Sequence, residues 1–461
     1  MNDGDTVKSK KNSVFYLNKS SPSFSWSLDG AGLICAISYA ALAWYSLRPE
    51  FLSLWMFYSF LGICLFATLI AFSRSDEKSL SPMRLLFWTC CFHLIGVLGD
   101  PLWEDDFFRY LWDGYRFYET GTPYGVAPSE FFGDGAIPEK FQALLARINY
   151  PNIPTIYGPT LEYTFLLSHV LAPAKIWPLQ LIYTLADLTL VLLLLRLVSA
   201  RWVLLYAWSP LVIKELAFTA HPDGVGVLLM MLALYFRQQK VYSLAAGFIA
   251  LSVGAKVFAL LMVPFVLWRT PLRYWVLFLM LLGLLYSPFI WRGASDMQGL
   301  LTFATQWQFN SSIYAYLLQW FDAMSVKLIL ASVFLAAYTW IFWRHCRANT
   351  WQMPRGDIIF GLFLIISPVV NAWYVIWLLP FAVFFPRLWS WTFSICVLLS
   401  YAVGINMAYV DVEPLQIPLW VLLLEYGLIL IAACLDAWFR VSGSNCPYFS
   451  KGNLEKSNAQ H

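Results

Sequence analysis

Charged residues are scarce in this chain. They make up only 12% of its 461 residues, whereas hydrophobic residues make up 60%; a soluble globular protein has about 25% charged residues. Apolar segments recur from Gly30 to the neighbourhood of Ala437, which excludes a soluble domain carried by a single membrane anchor. We therefore predict an all-α polytopic integral membrane protein that is embedded in the lipid bilayer.

Several motifs of soluble enzymes are also missing. No glycine-rich phosphate loop of the GxxxxGK or GxGxxG form follows a strand pattern. The eight cysteines show neither metal-ligand spacing nor a disulfide framework. The net charge of +3 is scattered over short loops, so the composition gives no basis for nucleic-acid binding. These absences argue against chemistry on cytoplasmic nucleotides.

The distribution of Lys and Arg predicts which segments face the cytoplasm. We expect a disordered cytoplasmic tail over residues 1–25, a membrane-embedded domain over 26–438 and a cytoplasmic C-terminal tail over 439–461. Two polar stretches, about 100–156 and 291–325, are expected to be external loops. The first holds nine acidic and four basic residues, and this asymmetry agrees with an external position.

The hydrophobic runs suggest about 11–14 membrane helices. The segment 157–195 should cross the membrane once, yet it is long enough for two helices, with Pro173 and Pro178 between them. Either one piece is re-entrant or a basic loop lies outside. The sequence leaves both alternatives open.

The first external loop opens with WEDDFFRYLWDG at residues 103–114. Its acids are costly to hold in hydrocarbon, so they must lie in water, in a cavity or beside a cation. Helical spacing places four residues of the segment on one face: Asp106, Arg109, Tyr110 and Asp113. This face is either a self-satisfied salt bridge or a carboxylate base beside an arginine that binds an anion.

Other polar and aromatic residues occur at expected external hairpin tips and in the second external loop. They are Lys214, Glu215, His221, Asp223, Lys256, Gln306, Trp307, Asn310, Asn371, Trp373 and Tyr374. Plainer interpretations exist for most of them. Lys214 can pair with Glu215 or snorkel, His221 can cap a helix, and Trp373 can belong to an interfacial aromatic belt. For Lys256, which has apolar flanks, we favour a bound anion over snorkelling.

Acid, cations and aromatic rings on one face are the groups that sugar-phosphate chemistry needs. An external site does not meet cytoplasmic nucleotide sugars, so a glycosyl donor there must be a polyprenyl-phosphate sugar. Its leaving group, a lipid phosphate, requires a cation, and Arg109 and Lys256 are the candidates.

The segment EDDFFRYLWDG followed by GTPYGVAP resembles the first external loop of the C-type glycosyltransferase superfamily. The closer likeness is to glycosyltransferase family 87 and the bacterial polyprenol-phosphate-mannose-dependent alpha-mannosyltransferases. It continues through YGPTLEY, WSPLVIKELAFTAHPDG, VGAKVFALLMVP, QWQFNSS and SPVVNAWYVIWLLPF, and it spans roughly residues 100–385. The turn TPYGVAP departs from the usual NPY-x-x-AP-like pattern, with Thr122 where Asn is common.

The resemblance implies transfer of a hexose, often mannose, with inversion at the anomeric carbon. The acceptor would be a glycan, a glycolipid or a protein, and the site would lie on the outer face of a bacterial inner membrane. Some superfamily members hold a divalent metal at the acidic motif; because we find no second set of carboxylate ligands, we expect no cofactor and no essential metal.

The resemblance also suggests roles for individual residues. The catalytic base is expected at Asp106, with Asp105 as the alternative. Residues expected to bind the donor phosphate are Arg109, Lys256, His221 and Tyr110. Residues expected to bind sugar or acceptor are Asp113, Tyr124, Tyr157, Asp223, Trp307, Asn310, Trp373 and Tyr374. The main rival hypothesis is a transporter or a flippase for lipid-linked sugars, which would have polar residues through the membrane depth and repeated halves; a scaffold protein is a third.

Overall fold

The structure is a computed structural model that describes residues 28–76, 80–403 and 417–442. Every regular element in these ranges is a helix, and the only extended pairing there is an isolated parallel bridge between Phe309 and Val369. The predicted all-α class is therefore confirmed. The expected N-terminal tail, and the C-terminal tail beyond residue 442, lie outside the described residues.

Twenty α-helices follow one another in the described chain. The first ten are α1 (Leu28–Ser46), α2 (Leu54–Arg74), α3 (Pro82–Val97), α4 (Asp106–Thr120), α5 (Glu139–Leu145), α6 (Pro159–Leu171), α7 (Trp177–Leu197), α8 (Ala200–Ala207), α9 (Pro210–Val212) and α10 (Asp223–Gln238). The others are α11 (Tyr242–Ala255), α12 (Val263–Leu267), α13 (Leu272–Ile290), α14 (Met297–Gln306), α15 (Ile313–Leu317), α16 (Ala323–Cys346), α17 (Gly356–Ile366), α18 (Leu379–Phe384), α19 (Leu388–Cys396) and α20 (Leu419–Val441). A π-helical segment, Ile213–Phe218, continues α9.

Six of the described helices are long and apolar enough to cross a membrane: α1, α2, α7, α13, α16 and α20. They have 19 to 24 residues, and at about 1.5 Å per residue this length matches a hydrocarbon core of about 30 Å. A seventh span results if Pro210–Phe218 and α10, which meet at a bend of 114°, count together. The chain is thus an all-helical protein with the composition of a multi-pass membrane protein.

The number of long helices is smaller than the 11–14 that we expected from the hydrophobic runs. Several apolar runs form short or broken helices instead, among them α3, α11, α17 and α19. The region 157–195 shows this directly: α6 has only 13 residues and α7 has 21, and the chain between them contains Pro173. The apolar runs therefore exceed the long helices in number, because a count of apolar residues does not register such breaks.

The long helix α13 turns an apolar surface outward, as a lipid-facing helix does. Met280 and Leu284 of this helix are 66% and 69% exposed. By contrast, most side chains of α10 that face the bundle are fully buried, including Met230 and Met231. Described cysteines are all free, in agreement with the absence of a disulfide framework.

Helix α4 is the amphipathic helix of the first predicted external loop. It runs from Asp106 to Thr120, in agreement with the helical spacing of its residues, and Gly121, with a positive φ of 72°, terminates it. Gly114 allows α4 to lie directly against α6, because a Cβ at this position would be 2.4 Å from the carbonyl oxygen of Phe165. The acidic N-terminus of α4 is thereby held against the helix bundle.

Candidate functional site

A cleft of about 620 Å³, including its open mouth, lies at the N-terminal end of α4. Its lining comes from five separate parts of the chain: Asp106, Arg109, Asn149, Tyr150, Ile153, Pro154, Ile156, Tyr157, Lys256, Phe303, Trp307, Asn371, Trp373 and Tyr374. Seven of these are residues that the sequence analysis assigned to the site. The structure therefore brings together segments that the distribution of charge had placed on one side of the membrane.

The three adjacent acids have different surroundings. Glu104 is buried, and its Oε1 accepts hydrogen bonds from the backbone N–H groups of Asp105 (3.1 Å) and Asp106 (3.3 Å). Asp105 accepts a hydrogen bond from the Asn149 side chain and does not line the cleft. Asp106 does line it, and the Tyr157 hydroxyl lies 3.4 Å from its Oδ2. The geometry thus favours Asp106 over Asp105 as the acid that meets a ligand.

Burial, and next the neighbouring carboxylates, change the protonation of these acids. Burial, and next the charge of Glu104, raise the pKa of Asp106 from 3.8 to about 7, although His221 and Lys256 act in the opposite direction. Burial, followed by the charges of Glu104 and Asp106, raises the pKa of Asp105 to about 8. Near neutral pH, Asp106 is therefore a stronger base than an ordinary carboxylate and is still partly ionised.

Arg109 lines the cleft and is also an internal structural bridge. Its Nε lies 2.9 Å and 3.0 Å from the two carboxylate oxygens of Asp113, and its Nη1 donates to the Ile153 carbonyl over 2.9 Å. The self-satisfied ion pair that the sequence left open is therefore present. Asp113 is buried and does not line the cleft, so the structure gives it contact with Arg109 and not the expected contact with a sugar.

Lys256, which directly follows α11, is the second cation of the cleft. Its Nζ lies 2.7 Å from Asp223 Oδ1 and 4.2 Å from the centre of the Tyr374 ring. Trp377 Nε1 donates to the same Asp223 oxygen over 2.6 Å. Asp223 is buried outside the cleft lining and contacts Lys256, so the structure places it behind this lysine; its contact with a sugar stays a prediction.

Aromatic rings form much of the remaining wall. Trp307 packs against Tyr150 with ring centroids 4.3 Å apart, and Trp373 and Tyr374 stand at 87° to each other. Tyr157 adds a hydroxyl close to Asp106. Flat rings beside hydrogen-bonding groups are the surface that a sugar ring requires, because the ring faces pack on its C–H groups while polar groups bind its hydroxyls.

A buried polar network lies behind the cleft. His221 is fully buried; its Nδ1 lies 3.1 Å from the Tyr110 hydroxyl, and its Nε2 lies 3.7 Å from Glu104 and 3.6 Å from Glu215. Glu215 Oε2 in turn lies 3.1 Å from Lys214 Nζ. Lys214 therefore pairs with Glu215, which is one of its two plainer interpretations. Neither His221 nor Tyr110 lines the cleft, so the structure places both behind it, and their contact with a donor phosphate stays a prediction.

Two other expected sugar-binding residues are also placed elsewhere. Tyr124 is buried and donates its hydroxyl to the Tyr157 carbonyl over 2.9 Å. The Thr122 hydroxyl accepts a hydrogen bond from the Tyr124 N–H over 3.2 Å, so Thr closes this turn in the way that Asn does. Asn310 is buried and donates to Glu425 of α20 over 3.0 Å.

No family model, curated protein or solved structure matches this chain. The interpretation of the cleft therefore depends on the residues that line it and on their contacts.

The sequence does not predict some of these lining residues, notably Asn149, Tyr150 and Phe303. Asn149 and Tyr150 lie in an irregular segment with no periodicity, and Phe303 occurs within an apolar helix; neither pattern marks a site.

The acids also bear on metal binding. Glu104, Asp105 and Asp106 each place one carboxylate oxygen within 4.8 Å of the others, a spacing that allows one divalent cation to be held. The sequence predicts no essential metal, because it offers no second set of carboxylates that could complete the ligands of a metal ion. The cluster supplies three ligands by itself, although Glu104 Oε1 and an oxygen of Asp105 already accept hydrogen bonds. The absence of an essential metal stays a prediction.

Proposed function

We propose that this chain is a membrane-embedded glycosyltransferase. It transfers a hexose, mannose by the family resemblance, from a polyprenyl-phosphate donor to a hydroxyl group of a glycan, a glycolipid or a protein. One observation supports this proposal above all: a single cleft contains a carboxylate base, two cations and a wall of aromatic rings. These are the groups that remove a proton, hold a phosphate and hold a sugar.

The proposed reaction is a single displacement. Asp106 removes the proton of the acceptor hydroxyl, and the oxygen attacks the anomeric carbon from the face opposite the phosphate, so the configuration inverts. The bond from the anomeric carbon to the phosphate oxygen breaks, and the polyprenyl phosphate leaves with the electron pair. The raised pKa of Asp106, about 7, suits a base that works near neutral pH.

Arg109 and Lys256 are proposed to stabilise the leaving phosphate. Both are already paired, yet neither has used all its donors. Arg109 engages Nε and Nη1, which leaves Nη2 of the five-donor guanidinium fork. Lys256 donates to Asp223 and has two further N–H bonds. The acidic partners fix the two cations in place, which lowers the cost of ordering them when a phosphate arrives.

Helix α14 gives a reason to propose a lipid-borne donor. It contributes Phe303 and borders Trp307 in the cleft, while Met297 and Leu301 of the same helix are 55% and 58% exposed. Successive helix residues are about 100° apart, so Met297 and Leu301 lie on the side of α14 turned away from Phe303, and we propose that a polyprenyl chain lies against this outward apolar side while its phosphate reaches Lys256. A nucleotide donor would have no use for such a surface.

The membrane side of the site is also part of the proposal. Asp223 begins α10 near the cleft, and Arg237 lies in the last turn of the same helix. Cytoplasmic ends of membrane helices are enriched in Lys and Arg. We therefore place the cleft on the extracytoplasmic face, in a bacterial inner membrane by the family resemblance.

The decisive experiment compares Asp106→Asn with the wild type. Purified protein receives polyprenyl-phosphate mannose and candidate acceptors, and mass spectrometry measures the glycosylated product. Loss of a general base typically costs about 10²–10⁴-fold in rate, and we expect a loss in this range. Glu130→Gln, an exposed acid of the same loop, is the matched control and should retain full activity.

Two outcomes would remove the proposal. Near-normal turnover of a correctly folded Asp106→Asn variant would show that this carboxylate is not the base. Movement of a labelled lipid-linked sugar across vesicles containing the wild-type protein, with no glycosylated product from any acceptor, would instead support the transporter or flippase hypothesis.

A further inference from the structure

A second cavity lies at the other end of α10. It encloses about 680 Å³, including its open mouth. Its lining residues are Arg237, Lys240, Tyr242, Trp268, Arg269, His345, Ala348, Asn349, Thr350 and Trp351. They come from the ends of α10, α12 and α16 and from the start of α11. The cavity shares no residue with the cleft that contains Asp106.

The charge of this cavity is of one sign. Three permanent cations and one histidine line it, and none of its lining residues is an acid. The described ion pairs of the chain include neither Arg237 nor Lys240 nor Arg269. In the cleft, by contrast, Arg109 and Lys256 each have a carboxylate partner. The second cavity therefore has positive charge that nothing in its lining balances.

Arg237 forms the inner part of this cavity and is only 6% exposed. Its Nη2 donates to the Trp268 carbonyl over 3.0 Å, but its Nε has no hydrogen-bond partner. The guanidinium carbon lies 4.9 Å from the centre of the Tyr242 ring and 5.6 Å from that of Trp351. An unpaired donor on a buried charge is costly, and negative charge in the cavity would offset part of that cost.

The plainer interpretation explains only part of the arrangement. Basic side chains at helix C-termini are stabilised by the helix dipole and by free carbonyl groups. Arg269 fits this description, since its guanidinium donates to the carbonyls of Cys346 (3.1 Å) and Ala348 (3.2 Å) at the end of α16. Capping does not account for the buried guanidinium of Arg237, which lines the cavity and has no acidic partner among the described ion pairs.

We propose that this cavity binds a phosphate group at the helix ends opposite the cleft. Arg237 supplies a pre-positioned guanidinium, which suits the oxygens of a phosphate. Lys240 supplies a mobile ammonium at the mouth, where its side chain is exposed. Trp268 and Trp351 have the amphipathic rings that occur at the level of lipid headgroups. The proposal does not depend on the glycosyltransferase proposal, since none of its residues lies at the cleft.

The phosphate can belong to a lipid headgroup or to a free phosphate compound, and the test separates the two. In one arm, the purified full-length chain in detergent is titrated with inorganic phosphate by calorimetry. In the other arm, the chain is placed in bilayer discs of phosphatidylcholine with or without phosphatidylglycerol. Native mass spectrometry then counts the retained lipids.

Three variants make the test specific. Lys240→Gln removes an exposed cation whose side chain has no described hydrogen bond or ion pair, so the fold should persist. Arg237→Gln removes the inner guanidinium. Arg344→Gln, in the last turn of α16 but outside the cavity lining, is the matched control. We expect about ten-fold weaker phosphate binding in the first two variants and no change in the third.

Two results of these measurements support a phosphate site of different kinds, and a third overturns the proposal. Saturable inorganic phosphate binding that weakens in Lys240→Gln supports a site for free phosphate compounds. Retention of phosphatidylglycerol that falls in Lys240→Gln, without phosphate binding in detergent, supports a headgroup site. Equal binding in Lys240→Gln and Arg344→Gln, in both arms, overturns the proposal, because the effect would then reflect general surface charge.

Discussion

His221 stacks on Trp373, with ring centroids 3.8 Å apart and ring planes 16° apart. Trp373 lines the cleft, whereas His221 is fully buried behind it and contacts Tyr110, Glu104 and Glu215. An aromatic wall of the cleft thus rests directly on the buried polar network. Residues outside the cleft therefore support the orientation of this cleft-wall ring.

We predict that Trp373→Ala weakens sugar binding more than it slows the chemical step. Aromatic contacts are worth about 0.5–1.5 kcal/mol beyond the area that they bury, so KM for donor or acceptor should rise several-fold with a smaller change in kcat. Steady-state kinetics on the proposed transfer reaction measures both. Trp420→Ala, which alters an exposed tryptophan of α20, should change neither constant, and an unchanged KM in Trp373→Ala would contradict the prediction.

The pH dependence of the reaction should report the crowding of the acids. Asp106 must lose its proton to act as a base, and its pKa is raised to about 7. We therefore expect kcat/KM to rise with pH along a limb centred near 7 and not near 4. Glu104→Gln removes a charge that raises this pKa, so the limb should move to lower pH, as a pH–rate profile would show.

The raised pKa of Asp106 also predicts how the stability of the folded protein changes with pH. Because the folded-state pKa of Asp106 lies above its ordinary value of 3.8, its contribution to folding is complete below pH 4 and is lost as pH rises through about 7. At pH 8, Glu104→Gln should therefore raise the thermal unfolding midpoint in detergent more than it does at pH 4. If the kcat/KM limb of Glu104→Gln stays near pH 7, the charge of Glu104 does not contribute to the raised pKa of Asp106.

The contact between α4 and α6 should be essential for activity. A Cβ on Gly114 would meet the Phe165 carbonyl oxygen at 2.4 Å, so Gly114→Ala must push α4 away from α6 and displace Asp106. Misplacement by about 1 Å can cost about 10²-fold in rate. Gly135→Ala, at a position with nothing within 4 Å, is the matched control. Equal activities of the two variants would refute this prediction.

Removal of divalent cations tests the acidic cluster. We predict that treatment with EDTA leaves the proposed transfer reaction at its full rate, because in the proposed mechanism Asp106 is the base and Arg109 and Lys256 hold the phosphate. Each of the three residues places a carboxylate oxygen within 4.8 Å of the others. The alternative is therefore that they bind a divalent cation. Loss of activity with EDTA, restored by Mg²⁺ or Mn²⁺ but not by Na⁺, would assign the cluster to a metal.

The sequence by itself determined the class of the protein and the local structure of its site. A chain with 60% hydrophobic residues in recurring long runs favours membrane helices, since a helix satisfies its backbone groups within one segment. The spacing of Asp106, Arg109 and Asp113 predicted one helix face, and α4 has it, with the Arg109–Asp113 pair. Both inferences concern neighbours along the chain, for which periodicity is sufficient.

Only the tertiary structure decided which residues meet across the chain. Lys256 pairs with Asp223, 33 positions away, and His221 lies behind Trp373 and not in the cleft. The breaks that shorten apolar runs, such as the one between α6 and α7, likewise reduced the number of long helices. The physical reason is that spacing fixes the face on which a side chain lies, whereas packing between distant helices fixes what that face contacts.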